Sequence, residues 1–427
     1  MRAALPRHSR LDLHLIRWRL APAACLALAV IALVMYAVLW LETTSVQERG
    51  SDFSASYTAA LLLREGQGSH LYDEGVEAHR HAQLLPDDVR VDLPFITPPT
   101  TALLTLPLTE VGPGTAYRAF ALVQLLLLAG AVAVALRAAP WPSRSSPLDR
   151  LAWAGLALAG VATLSLILLA QWDGLVALGL ALSYAAWRGG HPGRAAFSLI
   201  LCAALAKPHL ALGLVVYLLA RREKRAAAGA AVGGAVSGLA SLAAVGPRGC
   251  LGFLQAAFGA LGHTPPASTV GLTGLSASWM GTRLFTVPAA VLSVLALAAC
   301  LPLGAMSRRS RGRLEISLAG ATALSLVASP HLLTHDLVLL APALCWCAAV
   351  AAARDQPSST SEWGGAFRAL MVGWLAFNLL VALDTGNSAP APPGRVAPLG
   401  LLAVGAVSWL LCSRRPLANV RLEQGAS

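Results

Sequence analysis

Apolar stretches of roughly helix length follow one another along almost the whole chain. They run at 21–41, 115–136, 151–170, 174–187, 195–206, 208–220, 226–245, 284–304, 314–328, 337–352, 369–383 and 396–412. A helix of about 20 apolar residues spans the ~30 Å hydrocarbon core of a bilayer. The pattern predicts an all-α integral membrane protein, a polytopic bundle of about 12 transmembrane helices with helical extracytoplasmic loops. The boundaries divide the chain into a basic N-terminus over 1–20, a membrane domain over 21–412 and a tail over 413–427. The first long polar segment, 42–114, has helical patterns near 54–65 and 75–85. Its last part, Pro98 to Leu108, is apolar but too short to span. It reads as a re-entrant or interfacial helix ended by Gly112-Pro113-Gly114. The second long segment, 246–283, is rich in Gly, Ser, Thr and Pro. On either side of Lys207-Pro208 the apolar runs are unusually short, and a shallow hairpin beside a cavity is expected there.

Charge gives the bundle an orientation. Threaded from an inside N-terminus, the inner segments hold 23 of the 32 basic residues and 7 of the 21 acids, a net of +16, while the remainder nets −5. Basic residues resist translocation, so these segments are expected to be cytoplasmic, with both termini inside and 42–114 and 246–283 outside. The first apolar run follows arginines as a signal peptide does, but no small-x-small cleavage site precedes Glu42, so an uncleaved helix is expected. The chain is 56% hydrophobic and 12% charged, which excludes an ordinary soluble domain. Its net +11 is then a topology and lipid-headgroup signal, and no nucleic-acid partner is expected. The seven cysteines show no CxxC pair and no Cys/His ligand spacing, so they read as small apolar residues.

Few residues in such a chain carry chemistry. Asp52 follows the first membrane helix by about ten residues, near the interface, where burial tunes a carboxylate's basicity. Lys207 is an intramembrane ammonium, costly unless it meets a partner or water. Gln171 and Asp173 form a polar turn between apolar runs. The segment Ser329-Pro330-His331-Leu332-Leu333-Thr334-His335-Asp336 places two histidines four residues apart, on one face if that stretch is helical. Such a pair suits a metal, a phosphate or structural polar contacts, and the glutamate of HExxH is missing. No GxxxxGK[ST], GxGxxG or GxSxG motif is present, so a lipid-linked donor fits better than a nucleotide.

The colinear series Asp52-Phe53 with Tyr57, Gly66, Leu71-Tyr72-Asp73, Phe95 with Pro98-Pro99, Pro107, Gln171, Lys207-Pro208 before Arg221-Arg222, and Ser329-Pro330 with the histidines resembles glycosyltransferase family 87. Thr97 departs from the tyrosine usual before Pro-Pro, and Ala170 and Asp173 depart from a Gly-Gln-x-Asn pattern. The resemblance implies a GT-C fold and transfer of mannose from a polyprenyl-phosphate carrier to a cell-envelope glycolipid or glycan, or of arabinofuranose from a decaprenyl-phosphate donor. It implies Asp52 as the catalytic aspartate and places His331 and His335 in the functional histidine region. The expected site thus has Asp52 as catalytic base, with His331, His335, Lys207, Arg64, Gln171 and Tyr72 binding substrate or phosphate. No metal or other cofactor is demanded, since a phosphate leaving group bears its own charge. A transporter or lipid flippase would explain the helices and buried polar residues equally well. It would not explain the acidic first loop and its Pro-Pro segment.

Overall fold

The computed structural model describes residues 8–84, 93–259, 269–280, 286–354, 365–386 and 396–413. Its regular structure is helical, with no strand among the described residues. The long first helix, α1 (His8–Leu41), leads into four short helices: α2 (Ser45–Arg49), α3 (Asp52–Arg64), α4 (Glu74–Ala82) and α5 (Pro99–Thr105). Next come α6 (Pro113–Ala138), α7 (Pro147–Leu158), α8 (Val161–Leu169), α9 (Asp173–Arg188), α10 (Pro192–Ala206) and α11 (Leu212–Arg221). The chain continues through α12 (Lys224–Gly259), α13 (Leu272–Met280), α14 (Thr286–Arg309), α15 (Leu314–Ala328), α16 (Leu340–Arg354), α17 (Gly365–Gly386) and α18 (Val396–Ser413).

Every apolar stretch became helix, but length separates them. Six segments are long and apolar enough to cross a membrane: Pro22–Leu41, Pro113–Ala138, Lys224–Gly259, Thr286–Arg309, Thr334–Arg354 and Val396–Ser413. A seventh results if α7 and α8, bent by 53° at their junction, form one span. The chain is therefore a multi-pass helical membrane protein, and helix length supports six or seven crossings and not the expected count of about twelve. The physical reason is rise per residue. A helix of 15 residues, such as α10 or α15, is only ~22 Å long. In α15 every residue but Ile316 is buried, so its apolar character comes from packing inside the protein on all sides.

Two expected features take a different form. Lys207-Pro208 does break the chain, because a residue before proline is pushed out of the α region; Lys207 has φ −140° and ψ 76°. The two arms do not fold into a hairpin, however. α10 packs on α9 and α12, while α11 packs on α14 and α15, so the arms diverge from the break. The 246–283 segment is partly helical: α12 kinks at Gly246-Pro247, where Gly246 takes φ +68°, and continues to Gly259 before α13. The helices expected in 42–114 appear as α3 and α4, and the Pro98–Leu108 piece becomes α5 and a 3-10 turn over Leu106–Glu110. Residues 414–427 of the expected tail and residues 1–7 of the basic N-terminus lie outside the described residues.

Arg118 on α6 fixes the approach to the first loop. Its guanidinium reaches the carbonyls of Trp40, Leu41 and Thr43 at the C-terminal end of α1 and pairs with Glu48 at 2.6 Å. The otherwise orphaned last carbonyls of α1 thereby gain donors. Helix polarity then sorts the two ends of the bundle. α9 starts at Asp173 and ends at Arg188, α11 follows Lys207 and ends at Arg221, and the 334–354 segment starts beside His335 and ends at Arg354. In these three an arginine closes one end, and the candidate chemical groups stand at the other.

Candidate active site

An aromatic cluster brings Asp52 and Gln171 together. Phe53 stacks on Phe120 at 4.9 Å between ring centroids, and Phe120 meets Trp172 edge-on at 4.7 Å. Asp52 and Gln171 are the chain neighbours of two of these rings. The Gln171 side-chain amide donates to Asp52 Oδ2, which pins one carboxylate oxygen. Asp52 is the first residue of α3, where the helix dipole favours an anion. Three loop contacts steady that helix: Ser54 Oγ with His81 Nε2 at 2.8 Å, Trp172 Nε1 to Ser56 Oγ at 3.2 Å, and Tyr57 Oη to the Val111 carbonyl at 2.8 Å. Burial pushes the Asp52 carboxyl above the usual carboxylate range, and the Lys207 ammonium and the Gln171 hydrogen bond pull it back.

Behind this pair lies a buried ionic group. Lys207 Nζ donates to Asp173 Oδ2 at 3.0 Å and to Asp336 Oδ1 at 2.8 Å. Asp336 is held by the backbone N–H of Leu333, which donates to its Oδ2 at 2.7 Å. Asp173 is set by close helix packing. The following residue is Gly174, and a Cβ there would meet the Gln124 carbonyl oxygen at 2.2 Å, so only glycine lets α9 come this close to α6. His335 is fully buried, with Nε2 3.6 Å from Asp336 Oδ1 and 4.0 Å from Asp173 Oδ2, and neither ring nitrogen has a hydrogen-bond partner.

The two histidines do not share a helix face. α15 stops at Ala328 because Pro330 forces Ser329 into extended geometry, and a 3-10 turn begins only at Thr334. His331 lies in the connecting segment, 6.4 Å from His209 between ring centroids and nearly perpendicular to it. Burial holds the His331 imidazole below the ordinary histidine range, opposed by the charge of Asp336. His209 was missed in the sequence, although Lys207-Pro208-His209 puts it two residues from the lysine. Asp173 and Asp336 stand beside candidate residues in the sequence, but nothing local to either marks their convergence on Lys207.

Asp52, Gln171, Lys207 and the histidines thus converge, but Arg64 and Tyr72 do not join them. Arg64 closes the far end of α3, twelve positions and ~18 Å of helix from Asp52. It donates to the Thr109 carbonyl at 3.0 Å and pairs with Glu110 at 3.3 Å, tying down the segment after α5. Tyr72 donates to the Thr97 carbonyl at 2.6 Å and packs against Phe95 and Phe253. It lines a separate cavity of about 390 Å³ with Asp73, Glu77 and Gln255.

Ala170, the residue before Gln171, ends α8 with φ +49° and ψ +67°. Left-handed geometry strains a residue with a Cβ by ~1–2 kcal/mol, and part of any relief by glycine is lost to the freer unfolded chain. Ala170→Gly should therefore raise stability by up to about 1 kcal/mol and leave the Gln171 contact in place. Thermal unfolding in detergent checks this, and a lower midpoint would show that the Ala170 methyl matters more through packing.

Compared with known proteins, residues 95–330, more than half of the chain, match the model of glycosyltransferase family 87. Neither the curated proteins nor the solved structures yield a match.

Proposed function

Since the chain belongs to glycosyltransferase family 87, we propose that it inverts the anomeric carbon as it moves a hexose, mannose foremost, from a polyprenyl-phosphate carrier to a cell-envelope glycolipid or glycan. It is a membrane-embedded enzyme that transfers sugar. The more specific reading is supported by one observation above all: a carboxylate tethered by Gln171 stands close to the buried group of Asp173, Lys207, Asp336 and His335.

In the proposed reaction Asp52 takes the proton of the acceptor hydroxyl. The acceptor oxygen attacks the anomeric carbon from the side opposite the phosphate. The bond from that carbon to the phosphate oxygen breaks, and its electron pair leaves with the polyprenyl phosphate. Gln171 holds one Asp52 oxygen so that the carboxylate keeps a fixed direction. The leaving phosphate gains charge, and preorganised donors stabilise it more than water does. His331 and His335 each offer an N–H, and Lys207 keeps one of its three protons after serving two carboxylates. The test is turnover. Detergent-solubilised protein with no sealed compartment should move labelled mannose from its polyprenyl phosphate to an envelope acceptor, and no transfer of any polyprenyl-linked sugar would refute the reading.

The same reading makes the architecture GT-C-like. Helices α9, α10, α11 and α15, and the apolar Arg368–Leu383 part of α17, would then cross as short segments, local bilayer thinning absorbing their mismatch, and the count would reach about twelve. It puts the site on the extracytoplasmic side, with the arginine-bearing helix ends cytoplasmic, as the charge asymmetry supports. In a cysteine-free background, an impermeant thiol reagent should label a cysteine at position 69 in intact cells but not one at position 310. Labelling of 310 alone would invert the topology and remove the outer site.

A further inference from the structure

Asp173, His335 and Asp336 each bring a ligand-type atom into one buried group, and these atoms all lie within 4.8 Å of one another. Two carboxylates and an imidazole are a donor set suited to a divalent cation. The place between the carboxylates is already taken. Lys207 Nζ stands 3.0 Å from Asp173 Oδ2 and 2.8 Å from Asp336 Oδ1. An ammonium is a compact point charge that only donates, so it serves both carboxylates as a cation would. His335 is the member of the set that the lysine leaves unserved. Its side chain is 1% exposed, both ring nitrogens lack a hydrogen-bond partner, and Nε2 points within 4.0 Å of the same two oxygens. Asp173 Oδ1 is likewise buried without a partner. Polar atoms are seldom left so unless a ligand or another group completes them.

We propose that Lys207 is a built-in cation, occupying the position of a divalent metal in a site made by Asp173, His335 and Asp336. The chain would then bring its own positive charge to the place where the donor phosphate meets the protein, a role that rests on the reading of this end of the bundle as the donor site. The geometry also explains why the lysine arrives at a proline-enforced break. Because α10 stops at Ala206 and the chain turns at Lys207-Pro208, the side chain enters from outside both carboxylate-bearing elements, as a separate ion would.

The consequence is open to direct measurement on the full-length protein in detergent. With the ammonium removed in Lys207→Ala, Mn²⁺ should bind with one-to-one stoichiometry and at least about tenfold more tightly than in the unaltered protein. It should also raise the thermal midpoint of the variant and not that of the unaltered protein. Adding Asp336→Asn to Lys207→Ala should remove both effects. Lys207→Met, which keeps most of the side-chain volume, serves as the second variant if the alanine form folds poorly. Stoichiometric Mn²⁺ binding to the unaltered protein that disappears with Asp336→Asn would overturn the proposal, since the metal and not the lysine would then own the position. So would folded Lys207 variants that neither bind Mn²⁺ nor gain stability from it, or variants that Mn²⁺ fails to rescue from misfolding. Because the readout is metal binding, it stands apart from sugar transfer. Absent transfer with the expected Mn²⁺ result would remove the reaction and leave the built-in cation.

Discussion

Asp52→Asn should lower sugar transfer by at least ~10²-fold, the lower end of what a positioned general base contributes. Asparagine keeps the shape of the side chain, and its carbonyl oxygen still accepts from Gln171, so folding and donor binding should survive. The pH dependence sharpens the expectation. The active form is the carboxylate, and protonation as pH falls abolishes it. Burial raises the Asp52 value, so the acid limb of kcat/KM should have its midpoint above the ~4 of an ordinary aspartate. Residual activity in Asp52→Asn should lack that limb. Near-normal turnover of the purified variant would remove Asp52 from the base role.

His335→Ala and His331→Ala carry the second large expected effect. Removing one preorganised donor to a developing oxyanion typically costs 10²–10³-fold, about 2.7–4 kcal/mol, and a loss of that order is expected for at least one of the two, with weaker donor binding. The structure separates this from a purely structural role. His335 makes no hydrogen bond within the protein, so its replacement breaks none; it removes only the longer contacts to Asp336 and Asp173 and opens a cavity. His335→Gln fills much of that space and keeps an N–H donor, so it should recover part of the rate. Turnover must be referred to folded protein, with and without chelator. Full activity per folded molecule in both alanine variants would end the phosphate role. Loss of activity on chelation, restored by one metal, would assign these histidines to a metal.

The sequence revealed where helices lie much better than how they meet. Each apolar stretch became a helix because helical hydrogen bonding is local, and in lipid the backbone has few other ways to satisfy itself. Proline marked real breaks at Lys207-Pro208 and Ser329-Pro330 for an equally local reason. Whether a stretch crosses depends on length and on what surrounds it, and α15 shows that an apolar helix can owe its composition to protein neighbours alone. The candidate site was legible in the placement of Asp52, which follows a helix end at a fixed offset. Its pairings were not, because Asp173, Lys207 and Asp336 meet through packing between helices distant in sequence. Arg64 and Tyr72 lie near Asp52 within the first long polar segment, and that proximity misleads. The rigid rise of α3 carries Arg64 away, and Tyr72 turns into its own aromatic packing.

The lysine between two carboxylates also bears on how such a chain is made. Lys207 lies 34 residues after Asp173 and 129 before Asp336. If α10 crosses as proposed, an ammonium enters the bilayer during synthesis long before its second partner exists. A lone lysine at the centre of an inserting helix is penalised by roughly 2.5–3.5 kcal/mol, and one at a helix end, where Lys207 lies, by less. Because α9 and α10 pack on each other, the insertion machinery can release them as a pair with Asp173 and Lys207 already matched. The late carboxylate then arrives as a lock on a pre-formed pair. A ribosome-bound chain stopped soon after α11 should accordingly insert α10 stably, and Asp173→Ala should make that same intermediate slip back out.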